Sequence, residues 1–392
     1  MANKKYAQIY QIVNTINQQM FGSSAVAVVD TSTFVSLGNT ITASDDYMDV
    51  FTSKLIDRIG YTIIVSRTYE GAKKSLFRDG FEFGAILQKI DTDVPDAQAN
   101  TFASLTADMT AEDMLPKNVI PTVNVTYFTG FGTWDVQVTV PDTLLKTAFT
   151  DEVKMGAFIS DLFTKMANKM ELAEEGVADL AVNTFIASRF NAKESFPACA
   201  RNLLHEFNTL TNKTLTVGTC MTDKDFLRYA SKEINRAITN MTKYSTLFNV
   251  KGSKKFTPKD RLKAFMLAEF NSAFNTYLSS DTFHNELIAL PNFEEVAYWQ
   301  GSGTTFAFED CSKVEVANAD FVTEENTTGE VKVSGVICAM FDEECVGYTR
   351  RNDRAGSMRN NYLEKTDTWY RGETGFFVDN RENGIIFYVA EV

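Results

Sequence analysis

Residues 335 to 349 read GVICAMFDEECVGYT, with Cys338 and Cys345 seven positions apart and Asp342, Glu343 and Glu344 between them. Thiols and carboxylates so placed suit two chemistries: a mixed sulfur and oxygen metal site, or a cysteine nucleophile served by an acidic neighbour. A metal site needs a third soft ligand, and none stands near. The two histidines, His205 and His284, have no HExxH, CxxC or other zinc spacing around them. Gly-Ser-Gly at 301–303 lacks the Gly-x-Ser-x-Gly of a nucleophile elbow. Neither Gly-x-x-x-x-Gly-Lys-Ser/Thr nor a Gly-x-Gly-x-x-Gly after a strand is present.

The element that must carry these groups favours a structural reading. A two-residue period in VKVSGVICAMF sets Val336, Cys338 and Met340 on one face and Ile337, Ala339 and Phe341 on the other. Cys338 then falls where a small buried hydrophobe belongs. Asp342 breaks the strand, and Asp342, Glu343 and Glu344 are expected to cap and charge a short helix holding Cys345, Val346 and Tyr348. No catalytic residue, metal or cofactor is expected.

The chain has 392 residues, 44% hydrophobic and 23% charged, enough to bury a sizeable core in two or three domains. It lacks an eighteen-residue apolar run, and MANKKYAQIYQIVNTINQQMFG has no signal-peptide core, so a cytoplasmic setting is expected. Five scattered cysteines fit reduced, buried thiols rather than a disulfide frame. With 51 acidic and 38 basic residues the net charge is −13, the opposite of a dedicated nucleic-acid-binding protein. KGSKK at 251–255 and RRNDR at 350–354 read as solvated loops.

Residues 1 to about 45, rich in Asn, Gln, Ser and Thr, read as an extended arm that needs a surface to lie on. DDYMDVFTSKLIDRIG has helical spacing and stops at Gly60, and the strand YTIIVSRTY follows. Residues 91–117 are polar, an exposed extension. NVIPTVNVTYF and TWDVQVTV alternate about TGFG, predicting a long hairpin with Val123, Val125, Val136 and Val138 on its apolar face. After a cap at Thr150, Met155, Phe158, Ile159, Leu162, Phe163, Met166 and Met170 form one stripe of a helix reaching Ile186, roughly 50 Å long at about 1.5 Å per residue. From 193 to about 330 come the amphipathic helix SKEINRAITNMTKYSTLF, the buried strand RLKAFMLA, the short helix EFNSAFNTYL and the strands FAFED and KVEVA. GEVKVSGVICAMFD, DTWYRGETGFFVD and GIIFYVAEV close the chain as β-structure.

Three stretches carry a family resemblance: FTSKLIDRIGYTIIVSRTYEG at 51–71, DTLLKTAFTDEVKMGAFISDLFTKMANKMELAEEGVADLAVNTF at 142–185, and VKVSGVICAMFDEECVGY with the terminal TWYRGETGFFVDNRENGIIFYVAEV. Their order and spacing resemble the major capsid proteins of tailed bacteriophages with the α+β Hong Kong 97-type fold, most of all the phi 29-like short-tailed branch. The resemblance implies an N-terminal arm (1–50), the first part of a peripheral domain (51–90), an E-loop with its hairpin (91–141), and a spine helix (142–192). An axial α/β domain (193–359) and returning peripheral strands (360–392) complete it. It further implies capsomers of five and six copies, a separate scaffolding protein, a portal protein, and an icosahedral or prolate shell around double-stranded DNA, held without sequence-specific binding and without a membrane. The setting implied is the virion capsid, assembled in the bacterial host cytoplasm. The chain has no lysine between Ile120 and Val140, which argues against Lys-to-Asn cross-linking. No fused scaffold before the arm and no appended immunoglobulin-like domain are expected.

Physical reasoning points the same way. A two-stranded ribbon and an arm cannot bury their own apolar groups, so Phe128, Phe131 and Trp134 with Phe21 and Phe34 are the expected assembly contacts. An encapsulin-type nanocompartment shell is the nearest alternative. An acidic α/β enzyme built on Asp342, Glu343 and Glu344 with Cys338 or Cys345 is the alternative from another class.

Overall fold

The computed structural model describes residues 13–54 (except 23, 24, 26, 30, 45, 49, 52 and 53), 73–78, 87–93, 121–144 (except 129 and 130), 152–277, 292–299, 308–317 and 330–391. The expected strand at 61–69, the helix stop at Gly60, the cap at Thr150, the Gly-Ser-Gly at 301–303 and most of the polar extension lie outside the described residues. The longer named helices among the described residues are α1 (Thr31–Thr42), α2 (Glu152–Asn191), α3 (Leu203–Thr211), α4 (Lys224–Met241) and α5 (Ala268–Tyr277). The strands are β1 (Leu87–Asp93), β2 (Thr122–Phe128), β3 (Phe131–Pro141), β4 (Ala200–Asn202), β5 (Leu262–Leu267), β6 (Glu294–Val296), β7 (Val314–Ala317), β8 (Glu330–Val333), β9 (Val336–Asp342), β10 (Val346–Asn360), β11 (Lys365–Val378) and β12 (Gly384–Tyr388).

Helix α2 runs 40 residues, about 60 Å at about 1.5 Å per residue. Its two ends serve different cores. Met166 and Met170 pack with Val140 and Tyr370, whereas Ala178, Ala181, Val182, Phe185 and Ile186 pack under a five-stranded sheet of order β4-β12-β9-β5-β6. Alternation along that sheet sorts its side chains. Phe265, Ala339, Phe341 and Ile386 meet α2 and Trp299; Met266, Cys338, Met340, Ile385 and Phe387 meet α3, α4 and α5. The expected alternation therefore holds from Cys338 to Phe341 but is inverted at Val336 and Ile337. A register shift lets Phe387 face Cys338 and Tyr388 face Val336, and the extra residue reverses the facing. Just before it, Gly335 has φ +74, and a Cβ there would lie 1.9 Å from the Val389 carbonyl oxygen.

The third core lies beneath the three-stranded sheet β10-β11-β3, where α2 meets the N-terminal residues. Those residues are not extended. Residues 13–21 and α1 are helical, and Val13, Ile16, Phe34, Leu37 and Ile41 are buried in the chain's own core. The i, i+3 and i+4 spacing of these few apolar side chains suffices for packing, although the polar composition around them reads as an arm.

Several other expectations are corrected. β2 and β3 do not pair with each other: β2 takes β1, from Leu87↔Phe128 to Asp93↔Thr122, and β3 takes β11, from Lys365↔Pro141 to Gly375↔Phe131. Both alternate with period two, and β3 gains burial against α2 that a free ribbon could not supply. RRNDR lies within the 15-residue strand β10, in which Arg350 and Arg351 meet Glu174 and Glu373. The helix expected at Cys345 is a turn between β9 and β10: the Cys345 N–H donates to the Asp342 carbonyl at 2.8 Å, and the Glu344 N–H donates to Asp342 Oδ1 at 3.0 Å. Asp begins both helices and turns, and the following Val346 and Tyr348 favour a strand. The strand expected at FAFED is instead, from Phe308, a helical turn that runs on to Cys311.

Candidate functional site

The Cys–Asp–Glu stretch has its groups committed to holding the fold. Cys338 and Cys345 are buried, and among the described residues no group of three or more His, Cys, Asp or Glu side chains could hold a metal. Burial pushes the Cys338 thiol far above its ordinary range, and pushes Cys345 up to about 12 against the pull of Arg189. Neither is a thiolate at neutral pH. Arg78 lies 3.5 Å from Glu343, Arg261 lies 3.8 Å from Asp342, and Arg261 also pairs closely with Glu344. Each carboxylate thus answers a cation from another segment.

The surface with spare chemistry is the ribbon β1–β2. Its register puts Gln88 opposite Tyr127, Ile90 opposite Val125 and Thr92 opposite Val123. Ile90 is 64% exposed, Val123 57%, Val125 41% and Tyr127 59%. Such β-branched and aromatic residues normally line a covered face, yet here four of them share one side of a ribbon that turns to solvent. The opposite side faces the chain itself: the Phe128 ring packs tilted at 47° against Phe377 with centroids 5.4 Å apart, and Lys89 and Asp91 reach charged partners.

Those partners anchor the ribbon. Lys89 Nζ lies 3.1 Å from Asp379 and 3.7 Å from Glu382, and donates to the Glu344 carbonyl at 2.6 Å. Lys255 Nζ lies 3.1 Å from Asp91 and 3.5 Å from Glu382. Burial raises the Glu382 carboxyl, Lys89 and Lys255 draw it back, and Asp379 and Asp342 add to the rise, leaving it above the ordinary carboxylate range. Asp379 is buried and Lys89, Lys255 and Glu382 are mostly so, and their contacts together set the ribbon's angle. Beside them lies a cleft of about 310 Å³ lined by Asp91, Asn124, Tyr244, Lys255, Phe256 and Arg261 among others.

Of the five expected contact residues, the structure brings three together. Phe34 is fully buried in the third core, with Phe21 and Trp134 packed against it. Phe128 is half-buried on the inner side of the ribbon, and Phe131 opens β3 opposite Gly375. The exposed set, Ile90, Val123, Val125 and Tyr127, was half legible. Val123 and Val125 stand out by alternation, but Ile90 sits in LQKIDTD, whose charges mask a strand.

A family model described as Phi29-like phage major capsid protein matches residues 10–388. The major capsid protein of Bacillus phage GA-1 is 26% identical over 183 residues, 45% of this chain; the match spans 37% of that protein's length. A chain in the capsid structure of Staphylococcus phage Andhra superposes with a TM-score of 0.50 at 13% identity, covering 81% of this chain and 84% of that one. A chain in the structure of head fiber and inner core protein gp22 of native bacteriophage P68 gives 0.54 at 12% identity, covering 82% and 86%. At such identities the likeness speaks for the fold, which is of the Hong Kong 97 type.

Proposed function

The chain belongs to the Phi29-like phage major capsid protein family, and from that premise we propose that many copies of it close into the shell of a tailed-phage head around double-stranded DNA. The observation that carries the proposal beyond family membership is the exposure of Ile90, Val123 and Val125 on one face of the β1–β2 ribbon, with Tyr127 59% exposed beside them. A neighbouring copy covers that face. Repeated around capsomers of five and six copies, modest contacts sum to a closed, stable assembly.

Under this reading the E-loop is the segment from Leu87 to Phe128, with the ion pairs of Lys89 and Lys255 at its root. The sheet β10-β11-β3 with the first half of α2 forms the peripheral domain, and the five-stranded sheet with α3, α4 and α5 forms the axial domain. β12 pairs within the five-stranded sheet, which supports grouping it with the axial domain on this reading. A separate scaffolding protein and a portal are the proposed partners, the virion is the proposed location, and the role is structural rather than enzymatic. Nothing favours the encapsulin-type alternative: the matching family model and the curated relative are both phage major capsid proteins.

Electron microscopy of the protein expressed alone and with its neighbouring genes tests this. Closed shells or capsomer rings that take up DNA are expected. Dispersed subunits in every condition would overturn the capsid reading, and shells filled with protein cargo would move it to the encapsulin type.

A further inference from the structure

Helix α4 carries a feature at odds with the charge of the whole chain. Lys224, Arg228, Lys232 and Arg236 recur every fourth residue and are all exposed, in a protein of net charge −13. Four-residue steps advance about 6 Å and turn by about 40°, so the four cations form one ridge about 18 Å long. The opposite face, Phe226, Leu227, Ala230, Ile234, Ala237 and Met241, is buried in the second core, which fixes the ridge outward. Nearby acids only trim the charge. Glu233, with its side chain 2% exposed, lies 2.9 Å from Arg201, 3.4 Å from Lys232 and 3.5 Å from Arg236; Asp225 lies 3.8 Å from Arg228 and 2.9 Å from Lys213.

We propose that this ridge is a contact surface for the phosphate backbone of double-stranded DNA, read without regard to sequence. The composition of the face selects that partner over an acidic protein. Of its other exposed positions, Asn235 and Thr239 already donate to the Ser231 and Asn235 carbonyls, and Asn240 adds a neutral hydrogen-bonding group of the kind that meets phosphate oxygens. The aromatic beside the ridge, Tyr229, is half-buried, with the Lys232 ammonium over its ring and its hydroxyl donating to Glu206, so it is not an open anchor of the kind a protein interface is built around. A short row of cations on an otherwise acidic molecule gives contacts that are weak, local and salt-sensitive. A packed duplex is then held in place without being immobilised. The inference rests on the capsid reading for the source of the DNA, but the surface can be tested apart from it.

The test is fluorescence anisotropy of the full-length protein with a random-sequence 20-base-pair duplex from 50 to 200 mM KCl, with poly-glutamate as competitor. Four phosphate contacts predict a slope of log K against log salt near −3.6, and R228E/R236E should lower the affinity and bring the slope to about half. K224Q/K232Q, which leaves both arginine pairs intact, should shift the slope the same way, and K332E on the remote β8 should leave it unchanged. A wild-type slope shallower than about −1, unchanged binding in both ridge variants, or displacement by poly-glutamate at lower concentrations than by unlabelled duplex would overturn the proposal. If the ridge variants still form shells, loss of DNA binding bears on the ridge alone; if the wild type forms no shells, the capsid reading fails separately.

Discussion

Cys338 and Cys345 show how burial decides what a side chain does. Each thiol is enclosed by apolar neighbours and backbone, and desolvation of the thiolate outweighs the nearby Arg189 in the case of Cys345. All five cysteines are free and buried. A thiol-specific aromatic disulfide reagent at pH 8 should therefore label none of them on the native protein and all five after denaturation; rapid labelling of the native chain would refute this placement. Gly335 makes the complementary point about backbone. Its φ of +74 and the close approach of the Val389 carbonyl leave no room for a Cβ. Gly335→Ala should destabilise by about 3 kcal/mol or more, seen as a lowered Tm. A change within about 0.5 kcal/mol would mean that the close approach is relaxed in solution.

Among the elements, α2 and β10 are joined by charge. Arg350 and Glu174 meet at 2.7 Å with side chains 12% and 3% exposed. Removing one partner strands the other, so Arg350→Ala should cost about 3–5 kcal/mol, and the double change R350M/E174M should cost much less. Equal losses in chemical denaturation would show that the ion pair itself supplies the stability. A second pair adds a pH dependence. Burial pushes Glu233 up, but the hydrogen bond and charge of Arg201, helped by Lys232 and Arg236, hold it below the ordinary 4.5. A carboxylate with a depressed folded pKa stabilises fully above its unfolded value, and that stability is lost as pH falls below 4.5 through the folded pKa. Glu233→Gln should flatten this acid limb of a Tm-versus-pH curve, and an unaltered limb would assign acid lability to other carboxylates.

The same elements explain what could be read from residues alone. α2 was legible because seven apolar residues recur at helical spacing, and β5, β9, β11 and β12 because continuous or alternating apolar runs end at turn residues. Strand β10 was hidden: its Arg350, Arg351 and Arg354 are polar in sequence but find Glu174 and Glu373 only after folding. The pairing of β2 was hidden as well, since alternation tells which face a residue takes and not which strand lies beside it. The N-terminal helices were missed because their few apolar side chains gain meaning only when α2 and Tyr370 are there to receive them.

For the molecule as a whole, three cores are filled from within the chain, while the β1–β2 ribbon turns four apolar side chains outward. This asymmetry is the central physical argument for assembly. Val123 and Val125 belong to none of the three cores, so replacing both by aspartate should change the subunit's stability by no more than about 1 kcal/mol. The most direct measurement is the fraction of protein in closed shells, read by sedimentation and electron microscopy, for the wild-type chain and for V123D/V125D expressed with the same neighbouring genes. Shells from the wild type and folded, dispersed subunits from the variant are predicted; shells in equal yield from both would show that the ribbon's apolar face does not hold the assembly together.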